Sequence, residues 1–119
     1  MIEDPYTKKS LARMTGIKKR IRGNVVKDYG LVGELKRVLT GGESETNFTI
    51  ANLSLAYLML FHSSSLVRHE AAFVLGEYGN VVNTYLRSSA LFDSDHVVRH
   101  EACLAMAQKS QSKLRARNR

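Results

Sequence analysis

A seven-residue stretch, Leu66-Val67-Arg68-His69-Glu70-Ala71-Ala72, returns 31 residues later as Val97-Val98-Arg99-His100-Glu101-Ala102-Cys103. The match runs on in both directions. Downstream, Phe73 aligns with Leu104, Leu75 with Met106 and Glu77 with Gln108; upstream, Ile50 aligns with Val81, Leu55 with Leu86, Leu60 with Leu91 and Phe61 with Phe92. A fixed period of roughly 20–50 residues marks a stacked-repeat architecture, in which one unit cannot bury its apolar face without a neighbour. The fold expected is therefore all-α: an α-solenoid of antiparallel helix pairs, five to six helices in all.

Helix signals along the chain agree. Asp4 is an N-cap and Pro5 a first helical residue, where the missing N–H is no loss. Leu11, Met14, Ile17 and Ile21 follow at helical spacing, interrupted by Gly16, which predicts one helix to about residue 15 and a second turn to about Arg22, closed by Gly23-Asn24. Leu31, Val32, Leu35, Val38 and Leu39 predict a helix over 27–40, and Gly41 to Asn47 a loop. The repeats then predict helices over 46–61, 65–79, 80–92 and 95–110, joined by turns rich in capping residues. One domain follows: a divergent N-terminal cap over 1–45, two clear repeats over 46–110 and a basic tail over 111–119.

Charge is uneven. The net charge is +7, yet between Pro5 and Lys27 stand eight basic residues and no acid, and the last eleven residues again hold bases only. Basic ends on a near-neutral body predict attraction to polyanions. Lys8, Lys9, Lys18, Lys19, Arg20, Arg22, Lys113, Arg115 and Arg117 are thus candidate nucleic-acid contacts. The longest apolar run, residues 55–61, is too short to span a bilayer, so no membrane partner is expected. A start without a signal-peptide pattern and a single Cys103, standing where the first copy has Ala72, predict a cytoplasmic protein with a small buried thiol.

The repeated helix has two faces. Ala71, Val74 and Tyr78 lie within about 40° of Val67 and with it predict the core-facing stripe, with Arg68 to one side. His69, Glu70, Phe73 and Glu77 fall on a second face, which carries His100, Glu101, Leu104 and Gln108 in the next repeat. Helices stacked about 8–10 Å apart would make these rows neighbours. A partner-binding face of His69, Glu70, Phe73, Glu77, His100, Glu101 and Leu104 follows, with Phe73 and Leu104 as apolar anchors. The partner would be another protein or a second copy of this chain. His69, Glu70, His100 and Glu101 are also candidate metal ligands, since imidazole with carboxylate suits iron and other divalent transition metals. His62 and His96 sit at turns, as caps or solvated side chains; His96 and His100, at i and i+4, are a further candidate pair.

The turn and Val-Arg-x-x-Ala-Ala-x-x-Leu-Gly pattern of residues 63–76 resembles the short HEAT-like repeats also seen in phycobilin lyases. His-Glu at this register is similar to deoxyhypusine hydroxylase, an all-helical HEAT-repeat enzyme with a di-iron centre held by His-Glu pairs. The matching positions are His69-Glu70 and His100-Glu101. That family uses four such pairs and this chain has two, so the resemblance implies that a complete metal site would need a homodimer. No phosphate-binding glycine loop, Cys-x-x-Cys, Gly-x-Ser-x-Gly or His-Glu-x-x-His accompanies them. The function expected is a non-enzymatic protein-interaction scaffold; the alternatives are a dimeric His-Glu metalloprotein and a nucleic-acid binder using the basic ends.

Overall fold

The structure is a computed structural model that describes the backbone of residues 5–117 and the side chains of residues 7–111. Within them the chain is helical and strand-free, with α1 Pro5–Thr15, α2 Val25–Thr40, α3 Glu45–Phe61, α4 Ser65–Tyr78, α5 Asn83–Phe92 and α6 His96–Arg117. Asp4 lies outside the described residues, while Pro5 opens α1 as expected.

Each boundary has a local cause. Gly16 adopts φ 64°, a left-handed conformation that ends α1 and leads into a single 3-10 turn at Ile17–Lys19. Gly23, expected with Asn24 to close that turn, adopts φ 72°, and the Asn24 side chain accepts from Lys27 N and starts α2 two residues early. Ser44 does the same for α3 by accepting from Asn47 N, so the expected loop shortens. Ser64 accepts from Val67 N, and one period later Asp95 accepts from Val97 and Val98 N. The fifth helix starts three residues later than expected, at Asn83. Asn80 N is drawn to the Asn52 carboxamide oxygen at 2.7 Å, and Val81 is buried, so this corner stays extended. The tail expected from residue 111 is helical to Arg117: between Ser110 and Arg117 there is no Gly or Pro to stop it, and Gln, Lys, Leu, Arg and Ala all favour continuation.

Packing follows the alternation of the chain. The odd helices touch in order, α1 with α3 and α3 with α5, as do the even ones, α2 with α4 and α4 with α6. The two sets meet through α2–α3, α3–α4 and α5–α6. Helix α3 is the centre. Ala51, Leu55, Ala56, Leu58, Met59 and Leu60 bury on several of its sides, which a helix needs when it is covered all round. Each fully buried leucine here contributes about 1.5–3 kcal/mol over an exposed one.

The core stripe of α4 differs from the expected one. Val67, Ala71 and Val74 are buried, but Tyr78 is exposed, under the Lys36 ammonium 5.0 Å from its ring centre. Arg68, Ala72 and Leu75 are buried in its stead. With Ala72 and Leu75 fully buried and Tyr78 exposed, the buried stripe is rotated from the expected one. Cys103, expected to be a buried thiol like Ala72, is exposed. It sits on the far side of α6, where no further described helix follows.

Candidate functional site

Two buried polar arrangements and a third, partly exposed one join successive helix pairs. Arg68, on α4, reaches its guanidinium to Asp93 at the end of α5, with Nε donating to Oδ2 at 3.0 Å and Nη2 to Oδ1 at 3.1 Å. Its Nη1 donates to the carbonyls of His62 and Ser63, at the turn before its own helix. Both side chains are almost wholly buried. A two-pronged, fully hydrogen-bonded pair is the form in which a buried ion pair is tolerated. One period on, Arg99 Nη1 donates to the Asp93 carbonyl at 2.7 Å, repeating the Arg68–His62 bond.

The preceding junction uses the same place with opposite polarity. Asp28 stands on α2 as Arg68 stands on α4, each opening a buried i, i+3, i+4, i+7 stripe: Asp28, Leu31, Val32, Leu35 and Arg68, Ala71, Ala72, Leu75. Asp28 accepts from Arg22 N at 2.8 Å, from Gly23 N at 3.1 Å and from His62 Nε2 at 2.8 Å. Burial pushes the Asp28 carboxyl up, but the Arg22 N–H, the His62 ring and the Gly23 N–H together outweigh it and hold the group below its ordinary value. His62 Nδ1 accepts from Ser64 N at 3.0 Å, which leaves Nε2 as the N–H that donates to Asp28. His62 is thus neither a solvated side chain nor a simple cap; it is buried at the joint between α2 and α3.

The third arrangement is the His-Glu face itself. His69 on α4 stands 3.7 Å from Glu101 on α6, so the two copies of the motif meet across the repeat. Glu70 turns the other way, to Tyr29 on α2. The Glu70 charge, then partial burial and the hydrogen bond to Glu70, hold the Tyr29 phenol above its ordinary value. His100 is exposed on the next turn of the solvent side, as is His96. Farther along, Gln108 Nε2 donates to Glu77 Oε2 at 3.3 Å, joining residues one full period apart.

Between α4 and α6 these residues line a groove of about 290 Å³, with Phe73, Glu77, Glu101 and Leu104 on its walls and Gly76 and Ala105 at its base. Phe73 and Leu104 are 38% and 50% exposed. The close approach at the base needs Gly76: a Cβ there would lie 2.8 Å from that of Ala105. Of the seven residues of the expected partner face, the groove gathers four, His69 adjoins them through Glu101, and Glu70 and His100 point elsewhere.

As metal ligands the four His and Glu residues do not converge within one chain. One pair meets, Glu70 is engaged by Tyr29, and no group of three or more His, Cys, Asp or Glu that could hold a metal occurs among the described residues. A di-iron centre needs several carboxylates and imidazoles around one point, which this face does not offer.

The basic candidates are scattered. Lys8 lies over the Phe61 ring, 5.5 Å from its centre, and Arg20 is bound to Glu34 at 2.9 Å. Arg22 and Lys27 join Arg20 and Glu34 along one shallow hollow. Lys9, Lys18 and Lys19 are exposed. Lys113, Arg115 and Arg117 are carried on α6, their side chains outside the described residues. No helix among the described residues is long and apolar enough to cross a membrane.

Sequence reasoning missed Asp28, His62, Arg68 and Asp93. The signal was available: a charged residue at the head of an apolar i, i+3, i+4, i+7 stripe, and a hydrogen-bonding residue six positions before each motif arginine, His62 in one copy and Asp93 in the other.

Comparison with family models, with curated proteins and with solved structures gives no match to this chain.

Proposed function

We propose that this chain is a HEAT-like α-solenoid module that binds another protein along the groove between α4 and α6. The observation that carries the reading is the one-period register across that groove. Glu77 meets Gln108 one period on, His69 meets Glu101 beside its own counterpart His100, and Phe73 and Leu104 stand exposed beside the two carboxylates. The alternating helix contacts support the solenoid, because each helix touches its counterparts in the units before and after it.

The groove is open and shallow, which suits side chains of a polypeptide better than an enclosed small molecule. Phe73 and Leu104 supply apolar area of the kind concentrated at interface centres. Glu77 and Glu101 select a segment that flanks its apolar anchor with Lys or Arg. In this reading the Arg-His-Glu motif is a stacking device, with Arg68 locking the following unit and His69 and Glu70 joining the neighbouring helices.

The test is affinity enrichment with the wild-type chain and a folded Phe73→Ser/Leu104→Ser variant, followed by titration of the enriched protein in purified form. The reading expects a partner whose affinity drops at least about tenfold in the variant, as loss of two buried anchors implies. Equal affinity for both forms would remove the groove from the binding surface.

A further inference from the structure

Beneath the loop that joins α1 to α2, the buried Asp28 carboxylate accepts from the main-chain N–H groups of Arg22 and Gly23 at 2.8 and 3.1 Å. The loop is thereby tied down through its backbone, and its basic side chains stand outward. Lys18, Lys19, Arg20, Arg22 and Lys27 are all exposed. Arg20, Arg22 and Lys27 line one hollow of about 340 Å³, while Lys18 stands with Ile21 and Gly23 at a second, of about 250 Å³. Among the described residues only Glu34, bound to Arg20 at 2.9 Å, forms an ion pair with any of these five bases.

The same corner exposes aliphatic surface. Val25 and Val26, the first two residues of α2, are 43% and 80% exposed, and Val26 is the most exposed large apolar side chain among the described residues. Helix α2 does not bury it: the buried stripe is Asp28, Leu31, Val32 and Leu35, and Val26 lies nearly opposite on the helix. Lys27 and Gly30, one and four residues on from Val26, line the hollow with Arg20 and Arg22, so the valine borders the bases.

We propose that this corner, five bases around Val25 and Val26, is a surface for docking on an anionic lipid bilayer. The bases would lie among the charged headgroups, and the valines would enter the boundary between headgroups and acyl chains. Clustered bases alone suit any polyanion. The valines decide between them: a nucleic-acid backbone has no apolar phase to receive Val26, whereas a bilayer interface offers both charge and an apolar phase. The expectation of no membrane partner rested on the length of the apolar runs, which governs crossing a bilayer and not lying against one. None of these residues lines the α4–α6 groove, so the proposal stands or falls independently of the protein-binding reading.

The test is co-sedimentation of the full chain with vesicles of phosphatidylcholine containing about one-third phosphatidylserine, beside vesicles of phosphatidylcholine alone. The chain should bind the first and not the second. Lys18→Gln and Lys19→Gln should each weaken binding about fivefold, the share of one base near an anionic surface. Val26→Ser, at a site too exposed to disturb folding, should weaken it about fivefold or more without touching the charge. The sequence has no tryptophan, so Val26→Trp sets a single reporter at the contact. Its emission should move to shorter wavelength on the anionic vesicles and be quenched by lipids brominated on the acyl chain. Failure to bind the anionic vesicles, equal binding of Val26→Ser, or emission that the vesicles leave unchanged would overturn the proposal. So would tighter binding to duplex DNA than to the vesicles, unaffected by Val26→Ser, which would make this a nucleic-acid surface.

Discussion

The two junctions between successive helix pairs solve one problem in opposite ways. At the second, a cation on the even-numbered helix, Arg68, donates to turn carbonyls and grips the Asp93 carboxylate of the next unit. At the first, an anion on the even-numbered helix, Asp28, accepts from turn N–H groups and from the His62 ring. Both place a polar residue at the head of an otherwise apolar stripe, where an unpaired group would be costly and a paired one fixes the register. The comparison teaches that the place in the repeat is what matters, and that the sign of the charge is free so long as the turn beneath it offers the complementary backbone groups.

The largest effect should come from breaking the arginine lock. Arg68→Ala leaves Asp93 buried without its cation and should destabilise the fold by about 3–5 kcal/mol in urea unfolding. Replacing both partners by apolar residues, as Arg68→Met with Asp93→Leu, should recover only part of this loss, because the Asp95 N–H then loses the Asp93 oxygen it donates to. Full recovery would mean that the Arg68–Asp93 pair alone, and not the turn around it, carries the junction.

The first junction should be weaker and sensitive to acid. Asp28→Asn removes a charged acceptor with three donors and should lower stability by about 1.5–3 kcal/mol at neutral pH. Because the folded Asp28 carboxyl lies below its ordinary value, its contribution is complete above the ordinary carboxylate range, near about 3.9, and fades as pH falls through the lowered value. Stability measured between about pH 5 and pH 2 should therefore fall more steeply for the wild type than for Asp28→Asn. Asp95, whose carboxyl is also held low, by the Val98 and Val97 N–H groups, acts in the same window in both proteins and cancels from the difference. Parallel curves would show that Asp28 does not hold the first junction in its charged form.

Smaller effects test the groove. Gly76→Ala should cost about 1–2 kcal/mol in the same unfolding assay: the new methyl must push α4 away from Ala105, and the better helix propensity of alanine offsets only part of that. Gln108→Ala should change stability by less than about 0.5 kcal/mol, since its bond to Glu77 is exposed. A large loss there would move the groove floor from a docking surface to a structural seam.

The repeated motif and the helical spacing made most of the fold legible. The period aligned α3 with α5 and α4 with α6, and the rows expected to be neighbours do meet at His69–Glu101 and Glu77–Gln108. Helix ends were less legible where a tertiary bond decides them, as at Asn80, whose N–H is claimed by Asn52 on another helix. The candidate face was half legible. Spacing placed Phe73 and Leu104 outward, but it could not tell that Glu70 would be drawn to Tyr29 on a helix outside the repeat register. The burial of Arg68 was hidden for a different reason. A charged residue reads as surface until its partner is known, and Asp93 lies 25 residues away.

In the function proposed above, the Arg-His-Glu motif stacks and exposes helices for protein binding instead of ligating metal. Metal content per chain, measured on untagged protein purified without chelators beside His69→Ala and His100→Ala, tests it most directly. The account predicts no stoichiometric transition metal in any of the three proteins, and only a modest loss of stability in His69→Ala as the contact with Glu101 goes. A reproducible stoichiometric metal in the wild type, lost in both variants, would contradict it and would require a second chain to complete the ligand set.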